Sequence, residues 1–273
     1  MSARTPASPG ARRAIPDISD RRAPGLGGLN LTILALEIRR LTRNRRTLIF
    51  AIILPVVLFL SFGLNSAYAG ERAGQGNVSA FIMISISLYG AVIATTAGGA
   101  MVSIERAAGW SRQLRLTPLT PAAYIMVKVL TAMVLGLVSV VVVFAVGRAT
   151  GKPELPGDLW FATAAAVWIG SAVFAAFGLF LGYLLPTENV MQFLGLILAL
   201  LSLAGGLFIP LTQFPELVAT IARGTPLYGL NELVHASMLN QGVHLAWVAN
   251  VVIWLAIFVG GSVWRFRNDT GRV

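Results

Sequence analysis

Glu105 and Arg106 are adjacent opposite charges that close a long apolar stretch. The polar segment they open runs from Ser103 to Pro121 and includes Gly109, Trp110, Arg112, Leu114, Arg115 and Pro118. Side chains of these types break no bonds by themselves. They form ion pairs and hydrogen bonds, and on a short helix they present a surface to a soluble partner. Ala107, Trp110 and Leu114 share one helical face, and Pro118 disfavours helix at Thr117. Thr120-Pro121 reads as an N-cap followed by proline at the first helical position. A short stiff helix tied to two apolar segments can pass a push from a partner into the membrane. The plainer alternative is a segment that only turns the chain round.

Other chemistry is thinly supplied. There is no cysteine, which excludes disulfides, thiolate metal sites and cysteine catalysis. Two histidines, His235 and His244, are too few for a histidine-based metal cluster, so no metal is expected. No G-x-x-x-x-G-K-[ST] loop occurs, so ATP is not bound by that route. No nucleophile–base pair can be assembled, and no catalytic residue is assigned. If the chain does work, another subunit supplies the energy. Lys128 is the only ionisable side chain well inside an apolar stretch and is expected to snorkel to the nearer interface. The stretches hold no Asp or Glu, which weakens an ion-coupled transport reading.

The elements that must position these residues are six apolar stretches: Leu48–Ser66, Ala80–Ser103, Ala122–Gly147, Leu159–Leu185, Val190–Pro210 and Leu245–Trp264. At ~1.5 Å per helical residue each matches a hydrocarbon core of about 30 Å. A soluble core helix would turn a polar face outward every turn. With 56% hydrophobic and 12% charged residues over 273, six spans leave no room for a soluble enzyme domain. The expected fold is all-α: a polytopic membrane protein with six transmembrane helices.

The net charge of +10 is not a nucleic-acid footprint, because it is sorted by side. Of the 21 Lys and Arg, ten precede Leu48 and six more follow the even-numbered stretches, with Lys128 counted on the same nearer side, whereas Arg72, Arg148, Lys152 and Arg223 lie opposite. That bias puts both termini in the cytoplasm. Residues 1–30 read as a disordered cytoplasmic tail, and 266–273 as a cytoplasmic end. Leu31, Leu34, Ile38 and Leu41 repeat at helical spacing while Glu37, Arg40 and Arg43 fall largely elsewhere. This predicts an interfacial amphipathic helix over 31–46; a solvated positive flank is the alternative. Ala67-Tyr68-Ala69 resembles a signal cleavage site, but the preceding stretch of about 17 residues is too long for a signal core, so an uncleaved span is the better reading.

Pro55 should kink the first span. Small residues crowd the second (Gly98, Gly99) and fourth (Gly170, Gly178), where helices can approach closely. The segment 211–243 is too apolar for an open loop. Pro215 and Thr225-Pro226 can start two short helices that dip into the outer leaflet; a surface-lying helical hairpin is the alternative.

In this arrangement the chain resembles the membrane subunits of ABC exporters of the ABC-2 permease type. The resemblance rests on Glu105-Arg106, Gly109, Leu114 and Pro118, then Lys128. It continues through Gly206-Leu207-Phe208-Ile209-Pro210 with Phe214-Pro215-Glu216, and Thr225-Pro226 with Asn231-Glu232-Leu233, spanning residues 31–265. It implies a permease domain over 47–265, paired with a second copy or a paralogue and docked on separate ABC ATPase subunits. Those partners bind ATP and Mg, so this chain carries no cofactor. The ATPase-coupling elements it implies are the N-terminal helix, with Glu37, Arg40 and Arg43, and the 104–121 loop. That loop contributes Glu105, Arg106, Gly109, Trp110, Arg112, Leu114 and Pro118. Pro215, Glu216, Pro226, Asn231 and Glu232 fall in what resembles the family's re-entrant segment. The tail before Leu31 lies outside the family pattern.

The expected function is therefore an export permease in the cell membrane for an amphipathic or lipid-like substrate: a drug, lipid or lipid-linked glycan. Its partners would be membrane lipid and protein, not nucleic acid. A non-transporting assembly or sensory subunit is the alternative, and an ion-coupled secondary transporter a weaker one.

Overall fold

The long apolar stretches are helices in the computed structural model, which describes residues 31–43, 45–64, 67–109, 120–185, 187–209 and 211–271. In chain order they are α1 (Leu31–Thr42), α2 (Arg45–Leu58), α3 (Val78–Ala100), α4 (Val102–Ala107), α5 (Pro121–Thr150) and α6 (Gly157–Gly170). They continue with α7 (Ala172–Leu184), α8 (Thr187–Ala204), α9 (Glu216–Arg223), α10 (Pro226–Ala236) and α11 (Leu245–Gly271). A two-residue antiparallel pair, β1 (Arg72–Ala73) and β2 (Gly76–Asn77), precedes α3.

Four apolar runs are long enough to cross a membrane: Val78–Ala107, Ala122–Thr150, Gly157–Leu184 and Leu245–Arg267, of 30, 29, 28 and 23 residues. The first and fifth predicted spans are shorter apolar helices, Ala51–Gly63 and Phe193–Ala204, each of 10–17 residues. The chain is an all-α membrane protein with four helices of full spanning length among the described residues.

Local chemistry accounts for most helix boundaries. Thr120 caps α5, its hydroxyl accepting from the Ala123 N–H, and Pro121 is the first helical residue. Asn77 does more than cap α3. Its Oδ1 accepts from the N–H groups of Ala80 (2.9 Å) and Glu154 (3.0 Å), and its Nδ2 donates to the Lys152 carbonyl (2.9 Å). Gln75 ties the same hairpin to the chain after α10 by donating to Met238 and Ser237 carbonyls. One end of the bundle is thus closed by this hairpin; α4 and the start of α5 lie at the other.

Three elements show local detail. The helix expected over 31–46 ends at Thr42, and α2 begins afresh at Arg45. Pro55 stays inside α2, and the register then widens to a π turn over Phe59–Gly63. The fourth span is two helices, parted at Ser171, whose hydroxyl donates to the Trp168 carbonyl at 2.6 Å.

At the centre, α3 packs between α5 and α7 and is buried on nearly every face. Lipid tails are as apolar as leucine, so close van der Waals approach must hold such helices together. A Cβ on Gly178 would overlap the Thr96 carbonyl, and one on Gly99 would meet Ala175 and Leu179 backbone. Small residues at these positions let the α3 and α7 backbones touch.

At the hairpin end, α9 and α10 form a helical pair whose turn packs against α11. The Gly224 carbonyl accepts from the Trp254 indole N–H at 3.0 Å, about 14 Å along α11 from Leu245 at ~1.5 Å per residue. Leu230 of α10 packs where a side chain on Gly170 would lie. Pro226 starts α10, but Thr225 provides no side-chain cap; its hydroxyl donates to Ala222 at 2.7 Å instead.

Candidate functional site

Glu105 stands on the last turn of α4, where the run Val78–Ala107 ends, and its side chain is only 5% exposed. A buried carboxylate needs partners. Oε1 accepts from Lys128 Nζ at 2.6 Å and from Arg40 Nη1 at 2.9 Å; Oε2 accepts from the Tyr124 hydroxyl at 2.7 Å. Lys128 also pairs with Glu37 Oε2 at 2.8 Å and lies over the Tyr124 ring, 5.4 Å from its centroid. Two carboxylates and two cations thus form a neutral cluster joining α1, α4 and α5.

This overturns the expectation for Lys128. Its side chain is 4% exposed and does not reach water; two carboxylates hold it inside the protein. Glu37 likewise packs inward, although its spacing set it apart from the apolar face of α1. Tyr124 escaped the sequence reading altogether. The available signal was its position one helical turn before Lys128, which puts both on one face of α5.

Arg106 points the other way. Its Nη1 donates to the carbonyls of Gly182 (3.0 Å) and Tyr183 (2.9 Å), and its guanidinium lies 5.5 Å from the Tyr183 ring centroid. These carbonyls end α7 and have no intrahelical donor, so a cation there satisfies them and favours the negative end of the helix dipole. Adjacent residues 105 and 106 therefore lock α4 to α1 and α5 on one side and to α7 on the other. Gly109 follows with φ +74°, a left-handed conformation that suits glycine and ends the helical path after α4.

The family model for the ABC-2 type transporter matches residues 29–239. The chain belongs to the ABC-2 type transporter family. It is also 25% identical over 194 residues to the "Putative transport permease YvfS" of Bacillus subtilis (strain 168), covering 70% of this chain and 78% of that protein. Membership makes the chain a membrane permease of a transporter, and the family typically pairs with ABC ATPase subunits.

Of the other residues singled out in this permease, Arg43 is exposed beyond the end of α1. Trp110, Arg112, Leu114 and Pro118 lie outside the described residues, as does the 1–30 tail. Pro215 occupies the N-cap of α9 and Glu216 its first turn, where an acidic side chain suits the helix dipole. Asn231 and Glu232 lie on α10 and line a cavity at the hairpin end. The site residues thus form two groups, one at each end of the bundle. Among the described residues no group of three or more His, Asp and Glu could hold a metal ion.

Proposed function

We propose that this permease is the membrane half of an ABC exporter, moving an amphipathic or lipid-like substrate while separate ATPase subunits hydrolyse ATP. The observation that carries the reading is the buried cluster around Glu105. A push on α1 or α4 cannot be absorbed locally, because Glu37, Arg40, Glu105, Tyr124 and Lys128 bind those elements to α5, and Arg106 binds α4 to α7. Motion at this end is transmitted to the helices that line the bundle.

On this reading the Glu105 end faces the cytoplasm, with both termini, as the charge bias favours. The shorter helices α2 and α8 complete six crossings of the cell membrane. Helices α9 and α10 form the re-entrant pair on the outer side; the bond from Trp254, about 14 Å along α11, to the Gly224 carbonyl supports this. The permease works as a dimer, with ATP and Mg bound by the ATPase and no catalysis in this chain.

The test is reconstitution with the co-purifying ATPase. Glu105→Gln keeps shape but removes the charge that Lys128 and Arg40 share. It should leave insertion intact while abolishing the coupling between substrate and ATPase turnover. Full transport by the isolated chain without any ATPase would refute the proposal. Substrate-insensitive ATPase in the unaltered complex would favour a non-transporting subunit instead.

A further inference from the structure

The hairpin end holds a cavity of about 410 Å³ whose wall includes Phe81, Arg223, Tyr228, Asn231, Glu232 and Gln241. Small-molecule sites commonly measure about 300–1,000 Å³. Asn231 is 6% exposed, and its amide is satisfied at one end only. Nδ2 donates to the Gly206 carbonyl at 3.3 Å, whereas Oδ1 is buried without a hydrogen-bond partner. A buried acceptor left unpaired is costly, and a small rotation of the Asn231 amide towards the cavity would let a donor on a ligand relieve it.

The next residue, Glu232, is half-buried and makes no ion pair among the described residues. Burial raises its pKa, with His244 acting in the opposite direction. Phe81 and Tyr228 add aromatic faces, which attract cations as well as apolar bodies. His235 lines the cavity but is already committed. Its Nδ1–H donates to the Asn231 carbonyl (2.9 Å), and Nε2 accepts from the Ser85 hydroxyl (3.1 Å).

We propose that this cavity binds an aromatic organic cation bearing N–H donors, held between the Glu232 carboxylate and Asn231 Oδ1, with its apolar body against Phe81 and Tyr228. An anion would face Glu232 and offer Oδ1 no donor. Arg223, exposed on the same wall, opposes a cation and so sets a limit on affinity. The site is independent of the ATP-coupled reading, since binding here requires no partner chain.

The experiment is fluorescence titration of ethidium, an aromatic cation with two amino groups, against the full-length permease in nanodiscs, with empty nanodiscs as reference. Saturable binding is expected. Glu232→Gln and Asn231→Leu should each weaken it about tenfold. Arg223→Ala should tighten it, and Asp158→Asn, at an exposed acid of α6 outside the cavity, should leave it unchanged. Unchanged melting temperatures identify the variants that fold, and either cavity variant alone suffices. The proposal is overturned by binding no greater than to empty nanodiscs, by unchanged affinity in a folded cavity variant, or by tighter binding of the anion fluorescein. Weaker binding in Arg223→Ala would also overturn it, pointing to a zwitterion that needs both charges.

Discussion

Lys128→Met tests the cluster that joins α1, α4 and α5. The substitution preserves an unbranched side chain but withdraws the charge lying 2.6 Å from Glu105 and 2.8 Å from Glu37. Breaking one side of a buried ion pair costs about 3–5 kcal/mol, because the other charge stays buried and uncompensated. Tyr124 still donates to Glu105 at 2.7 Å and Arg40 still reaches it, so the lower end, about 3 kcal/mol, applies. Arg40 makes a bond of similar length to the same carboxylate, yet its side chain is 54% exposed. Solvent screens it, and Arg40→Met should cost no more than about 1 kcal/mol. The gap of about 2 kcal/mol is roughly 30-fold in the unfolding equilibrium, since each 1.4 kcal/mol is a factor of ten.

A double variant isolates the pair. Glu105→Gln combined with Lys128→Met removes both charges, and its cost should fall short of the sum of the single costs by about 2 kcal/mol. The assay is SDS-driven unfolding of purified protein in mixed micelles, followed by fluorescence of the six tryptophans. Equal costs for Arg40→Met and Lys128→Met would refute the reasoning, as would strict additivity in the double variant. Either result would mean that burial does not set the strength of these contacts.

Further expectations follow from the packing and the caps. Gly178→Leu forces a side chain into the Thr96 carbonyl of α3; a loss of at least about 3 kcal/mol should appear as a collapsed yield of monodisperse protein, and an unchanged melting temperature would contradict it. Asn77→Ala removes three hydrogen bonds that join the hairpin, α3 and the chain after α5, and should cost about 2 kcal/mol in the same SDS assay. The chain has no cysteine, so single cysteines report sidedness directly. Glu71→Cys, exposed at the hairpin, should react with an impermeant maleimide in intact cells, and Ala107→Cys, exposed at the Glu105 end, only after lysis. The reverse pattern would invert the proposed orientation.

The sequence by itself determined that the chain lives in a membrane and roughly where its helices lie. Hydropathy over some twenty residues is a property of composition, and caps act within one turn. Hence Thr120-Pro121 and Pro226 marked true helix starts, and Glu105, Arg106, Asn231 and Glu232 stood out as polar residues amid apolar ones. Tertiary structure alone decided what those residues touch. A helix apolar all round has no polar face to reveal its orientation, so nothing local told that Lys128 turns towards Glu105, 23 residues earlier, and Glu37 rather than towards water. The same limit hid the break at Ser171, where Leu230 of a distant helix packs against Gly170, and the unpaired oxygen of Asn231. Partners chosen across helices depend on packing angles and approach distances, which are set by the whole bundle and not by any one segment of it.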